Sequence, residues 1–421
     1  MAAKNFLARL GPGFVTGSSD DDPAGIGTYV QTGAQFGYGQ LWTAFFTFPL
    51  MAIAQEMCGR IGLVTGRGLA PNIRRHYAGW ILFFIVAIQV ATNTVNIGAD
   101  LSAMAQSAQL IFHVSYGVLL AITTAGMISL ITFLPYRQYS SVLKFLGVLL
   151  LTYVIAAFTV HANWGEALRN TFLPHLVWSS EFLLTLIAVL GVTISPYEFF
   201  WQASEEVEEL VDERKIPAPE TVKPRVTDSD VAYARGDTWF GMFFSNLITY
   251  FVIVTAAATL HPTGHTNVQS AKEAAEVLRP LAGPLSSLLF ALGIVSSGLL
   301  SIPVMAASSA YAVCGALNLP RSLSEPFFRA KAFYGIIAAS CLIGLLVNVF
   351  HISPFRLLYY SGVMNGMISP FLLFIVTNIA GNRRIMGKYA NAWWTNVVGY
   401  FMSGAMALAI IAFFILSRSQ S

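Results

Sequence analysis

The run Asp20-Asp21-Asp22-Pro23 sets three carboxylates and a proline inside an otherwise apolar stretch, residues 11 to 37. Three ionised carboxylates this close repel one another, so either a cation holds them or a proton neutralises one. A second apolar stretch, residues 180 to 210, is interrupted by Gly191, Ser195 and Pro196, with Glu198 just beyond. The chemistry open to these groups is cation binding through oxygen, by carboxylates, freed backbone carbonyls and a hydroxyl. Catalysis is not indicated: no nucleophile stands beside a base, and neither an HExxH sequence nor a Walker-type loop occurs. Cys58, Cys314 and Cys341 show no metal-ligand spacing and read as packing residues, and His113, His161, His175, His261, His265 and His351 match no zinc spacing. No cofactor is called for.

The elements that must position these groups follow from composition. Of 421 residues, 55% are hydrophobic and only 11% charged, against roughly a quarter charged in an ordinary soluble domain. Mean hydropathy is +0.63. Too little polar surface exists to cover a water-soluble body of this size, which excludes soluble enzymes, disordered chains and nucleic-acid binders. A net charge of +3 gives no reason to expect a polyanionic partner. The partners expected are a lipid bilayer and a small ion.

A spanning helix needs about 20 mostly apolar residues. Such runs cover Tyr38 to Gln55, Tyr77 to Ala99, Val114 to Tyr136, Phe145 to Val160, Thr238 to Leu260, Gly283 to Pro320, Ala332 to Phe350, Leu357 to Thr377 and Val397 to Leu416. With the two interrupted segments this predicts an all-α integral membrane protein of about eleven spans, in one domain covering residues 1 to 421. The first ten residues lack the apolar core and cleavage site of a removable leader. Placing the N-terminus inside puts Lys4, Arg9, Arg74, Arg75, Arg137, Lys144, Arg383 and Arg384, among others, on the cytoplasmic side. The outer side then takes only Arg169, Lys272, Arg279, Arg356 and Arg418. The C-terminus is therefore expected outside. Short loops suit a bacterial inner membrane. The hydrophilic block Glu205 to Asp237 reads as a solvated helix end and linker.

Proline removes a backbone donor and clashes with the preceding turn, so both interrupted spans should unwind, near Asp22-Pro23 and Ser195-Pro196. In hydrocarbon an unwound backbone is tolerated only where it lines protein or water. Five spans separate the start of one broken span from the start of the other. Interrupted segments at matching places in two halves point to an inverted-repeat transporter with its site at the midplane. The repeats would run from about 6 to 161 and from about 179 to 380, with an extra helix from about 389 to 417. Carbonyls at half-helix C-termini favour a cation, and Asp22 adds full negative charge beside them.

These residues also carry a resemblance. GPGF at 11 to 14, seven residues, and then Asp22-Pro23, followed by QTGAQFGY, GVTISPY and ADLSAM around Asp100, resemble the NRAMP family of divalent metal transporters. The likeness covers most of the chain and is most specific in the first span. It implies the LeuT-type fold, five plus five helices with spans 1 and 6 broken. It further implies metal binding by Asp22, by the main-chain carbonyl of Val192 and at Ser195, with Gly25 and Tyr197 at the remaining motif positions.

Departures from the family pattern bear on the ion. The family's Asp-Pro-Gly-Asn has Gly25 for its asparagine, and its Met-Pro-His reads Ser195-Pro196-Tyr197. The thioether that suits softer metals is gone and only oxygen donors remain, which suits a hard, partly hydrated ion such as Mg2+. These changes are similar to those of the NRAMP-related magnesium transporters. Mg2+ is therefore the favoured substrate, with Mn2+ second. Asp20, Asp21 and Glu198 are expected along the pathway or one step behind the ligands. Asp100 matches the family's proton-route aspartate, but the glutamate expected three residues later is Ala103. Span 9 also lacks an arginine, so passive or weakly proton-coupled transport is expected. Tyr359, Asn365 and Ser369 give span 10 a polar stripe. A proton-coupled Mn2+/Fe2+ importer, or an organic cation or amino-acid carrier on the same fold, is the alternative.

Overall fold

The computed structural model describes residues 11–112, 114–133, 150–346 and 353–420. Its labelled helices, those of eight residues or more, are α1 (Pro12–Asp20), α2 (Pro23–Phe36), α3 (Trp42–Thr65), α4 (Leu69–His76), α5 (Gly79–Gln109), α6 (Tyr116–Phe133), α7 (Leu151–Thr159), α8 (Trp164–Phe172), α9 (Ser180–Thr193), α10 (Pro196–Asp212), α11 (Asp228–Thr259), α12 (Ser286–Leu317), α13 (Lys331–Leu346), α14 (Pro354–Gly381) and α15 (Trp393–Gln420). Among the described residues, seven helical stretches are long and apolar enough to cross a membrane by length and composition. The expected breaks fall where proline sits at the first helical turn: α1 stops at Asp20 and α2 restarts at Pro23, while α9 stops at Thr193 and α10 restarts at Pro196.

Several spans run further than their apolar cores. α3 continues ten residues past Gln55 to Thr65, because Glu56 and Arg60 pair with each other at 3.0 Å instead of meeting water. The pair is buried. Arg235 also reaches Glu56, at 3.3 Å, and Arg60 donates to the Tyr389 carbonyl and to Asn391. α11 begins at Asp228, well before the apolar run, on a Thr227/Asp230 capping box. The expected spans from Val114, Phe145 and Ala332 are described only as α6, α7 and α13, and His113 and His351 lie outside the described residues.

Interior packing is built on small residues. A Cβ added at Gly17 of α1 would lie 2.2 Å from the Gly241 carbonyl of α11, and one at Gly191 of α9 would lie 2.1 Å from the Gly362 carbonyl of α14. Backbones therefore touch at both crossings. In lipid, where tails are as apolar as leucine, such close approach is a principal source of helix association. The Gly191 crossing lies immediately before the second break, and it anchors α14 against it.

Candidate functional site

At the first break Asp22 is the N-cap of α2. Its Oδ1 accepts the Gly25 N–H at 2.5 Å, and its Oδ2 accepts the Tyr197 hydroxyl of α10 at 3.4 Å. Tyr197 also donates to the Ser19 carbonyl at 3.2 Å, while its own carbonyl accepts from Ser308 of α12 at 2.6 Å. One tyrosine thus ties the carboxylate, the frayed end of α1 and the start of α10 together. Gly25 is where a side chain would crowd the break: its Cβ would stand 3.2 Å from the Asp20 carbonyl and 3.3 Å from Asp22 Oδ1.

At the second break the Ser195 hydroxyl turns back to the carbonyls of Val192, at 2.9 Å, and Gly191, at 3.3 Å. The Ile194 carbonyl accepts Ser369 of α14 at 2.8 Å. Tyr29 of α2 meets Thr193 at 3.3 Å, joining the two breaks directly. Val192 and Ser195 therefore adjoin each other, and Tyr197 carries the connection to Asp22.

The other acids close in from neighbouring helices. Asp20 accepts Ser245 of α11 at 2.7 Å, and the same hydroxyl lies 3.4 Å from Asp21. Glu198 accepts Gln55 of α3 at 2.7 Å, and its carboxylate lies near that of Asp20. Asp100 of α5 accepts Ser301 at 3.4 Å and approaches the backbone of Ala24, so it shares the N-terminus of α2 with Asp22. The asparagines of the same helix are engaged elsewhere: Asn93 donates to Met305 and Ser309, and Asn96 to the Met305 sulfur. Asn365 sits on α14 between Gly362 and Gly366, beside the Gly191 crossing, with its amide buried and unpartnered.

Asp20, Asp21, Asp22, Asp100 and Glu198 are all buried, and among the described residues no lysine, arginine or histidine forms an ion pair with any of them. Burying uncompensated carboxylates is expensive, so the arrangement calls for positive charge from outside the chain's own side chains. Among the described residues no three His, Cys, Asp or Glu side chains converge on one point, so a cation held here would draw on carbonyl and hydroxyl oxygens too. A 490 Å3 cleft is lined by Gly27, Gln31 and Gln35 of α2 together with Thr266 and Tyr359. Gln55, Ser245, Ser301 and Ser308 were not legible in the sequence as site residues, since none of them is ionisable. Their signal was an uncharged polar group amid an apolar run.

Residues 13–416 match the family described as natural resistance-associated macrophage protein-like, Nramp. The chain belongs to this family. It is similar to a Nramp relative named divalent metal cation transporter MntH from Bradyrhizobium diazoefficiens, 25% identical over 96% of this chain and 88% of the relative. A protein of the same name from Klebsiella pneumoniae is 27% identical over 95% and 92%. A crystal structure of the Eremococcus coleocola manganese transporter, in complex with an aromatic bis-isothiourea substituted compound, superposes with a TM-score of 0.74 at 17% identity, covering 99% of this chain and 88% of that one. Mhp1, a nucleobase-cation-symport-1 family transporter, superposes at 0.60 and 12%, covering 98% and 93%. Likeness at these identities speaks to architecture: this Nramp chain is an all-helical integral membrane protein with the LeuT-type fold and two broken helices.

Proposed function

We propose that the chain is a secondary transporter of divalent metal cations, favouring Mg2+ and accepting Mn2+, that works by alternating access. The observation that carries this reading is the pairing of the two breaks. The two breaks are tied to each other by Tyr197, which donates to the buried Asp22 carboxylate, and by Tyr29, which meets Thr193, and the residues of neither break include a sulfur. The names of the curated relatives support the class of cargo. The hardness of the donor set supports Mg2+, which keeps several waters and asks for oxygen. Asp22, Val192 and Ser195 would hold the ion, Gly25 would leave the room for its waters, and Tyr197 would orient Asp22. Asp20, Asp21, Asp100, Glu198 and Asn365 would line the path or support the ligands.

Transport is passive or only weakly coupled to protons, because Ala103 and Tyr197 stand where the family's acid and histidine would be. The two repeats, about 6–161 and 179–380, rock around the breaks, with 389–417 outside the repeat. The N-terminus faces the cytoplasm of a bacterial cell and the C-terminus the outside.

Purified protein in liposomes, supplied in turn with Mg2+, Mn2+, Fe2+ and Cd2+, tests the substrate. Uptake of Mg2+ is expected; strong Fe2+ or Cd2+ uptake with none of Mg2+ would sink the assignment. Internal pH recorded in the same vesicles tests the coupling, and stoichiometric acidification would rule out the passive reading.

A further inference from the structure

The hydrophilic end of α10 is not the solvated surface that its composition suggests. Glu198, Gln202, Glu206, Glu209 and Glu213 follow one another at offsets of four, four, three and four residues, which places them on one face of the helix. Burial fades steadily along that face. Glu198 and Gln202 are 0% exposed and Glu206 3%, whereas Glu209 is half-buried and Glu213 exposed. The facing strip of α3 is Gln55, Gly59 and Leu63. Gln55 contacts Glu198, and a Cβ at Gly59 would lie 3.1 Å from Gln202 Nε2 and 3.3 Å from Glu206 Oε1. α1 supplies the third wall, where the Thr16 hydroxyl donates to Gln202 Oε1 and Gln202 passes its Nε2 hydrogen to Glu206 at 2.9 Å.

At the buried head of this strip, Asp20 Oδ1, Glu198 Oε1 and Gln55 Oε1 have no hydrogen-bond donor. Oxygens buried without donors are costly, and a strip of hard acceptors left so is matched by a cation passing among them. At the far end the strip opens into a 250 Å3 cleft lined by Glu206, Glu209, Glu213, Asp230 and Tyr233. Lys215, the lysine of that lining, is held by Glu213 at 2.8 Å and Asp230 at 2.9 Å. Glu205 and Glu208 face the other way and are satisfied by Tyr311 and Ser322.

We propose that this face of α10 is a transit route, by which a hydrated, hard divalent cation passes between the broken-helix site and the acidic cleft, with Glu206 as its buried relay. The proposal rests on the reading that Asp22 holds the transported ion. In the present arrangement the route is shut by the Thr16–Gln202–Glu206 chain and by contact of α3 with α10, where a Cβ at Gly62 would lie 2.1 Å from the Ala203 carbonyl. Motion of α1 away from α10 breaks that chain and exposes the acids behind it.

The test compares Glu206→Gln, Gly59→Val and Asp22→Asn in full-length protein, measuring equilibrium Mn2+ binding in detergent and Mn2+ and Mg2+ flux in liposomes. Glu206→Gln keeps the volume of the side chain and its ability to accept from Gln202. It is expected to leave Mn2+ binding within about twofold while lowering the maximal flux of both ions by about fivefold or more, a split that marks a lost transit step and not a lost ligand. Gly59→Val narrows the strip without touching charge and is expected to show the same split, while Glu206→Asp restores most of the flux. Flux through Glu206→Gln equal to wild type overturns the proposal, as does a joint loss of binding and flux in a monodisperse protein. Unaltered binding and flux in Asp22→Asn defeats the reading beneath it, whatever Glu206→Gln does.

Discussion

The two breaks differ in what they bring to the space between them. The first brings charge. Asp22 is fixed on the N-terminus of α2 by the Gly25 N–H and on α10 by Tyr197, with Asp20 and Asp21 behind it on Ser245. The second brings carbonyl oxygens held in place. Ser195 leaves the N-terminus of α10 without a side-chain cap and grips Gly191 and Val192 instead, and Ser369 steadies Ile194. One break supplies attraction and the other supplies geometry, so a change at the first should strike affinity hardest and a change at the second should strike ion choice.

Asp22→Asn probes the charge. Losing a charged ligand, and with it one or two charge-assisted contacts, should lower Mn2+ and Mg2+ binding and uptake by about a hundredfold. Calorimetry beside liposome flux reads this, and an unchanged affinity would erase the distinction between the breaks. Gly191→Ala attacks the frame of the second break, since the new methyl would lie 2.1 Å from the Gly362 carbonyl. Overpacking there should cost about 1–3 kcal/mol, visible as a lowered midpoint of thermal unfolding together with reduced flux.

Ser195→Met sharpens the contrast further. A thioether offered at the break should move preference from Mg2+ toward Mn2+ and Cd2+ by about tenfold, with total uptake retained, in competition flux assays. Tyr197→Phe should have the smallest effect, because the bond it removes from Asp22 is long at 3.4 Å. Affinity should weaken by only about two- to fivefold, the worth of one modest hydrogen bond.

Proline and the acid run made the first break readable in the sequence, and Gly191, Ser195 and Pro196 did the same for the second, since each element acts on its own backbone. The reach of α3 beyond its apolar core was not readable, because Glu56 and Arg60, besides pairing with each other, are met by Arg235, Tyr389 and Asn391 from far along the chain. The burial of Glu206 was hidden for a related reason. A row of acids reads as solvated until the glycine of another helix, Gly59, is known to lie across it. The partner of Asp100 was not readable either, because Asn93 and Asn96, neighbours on its own helix, point to α12, while Ser301 comes from across the bundle.

The crossings at Gly17 with Gly241 and at Gly191 with Gly362 have a mechanical meaning. Where two helices meet backbone on backbone, no interlocked side chains have to climb out of one another's grooves before the helices shift. Such joints can serve as smooth bearings, so the paired helices could tilt past one another with little rotamer change, and the resistance to motion would reside in the polar latches at the ends.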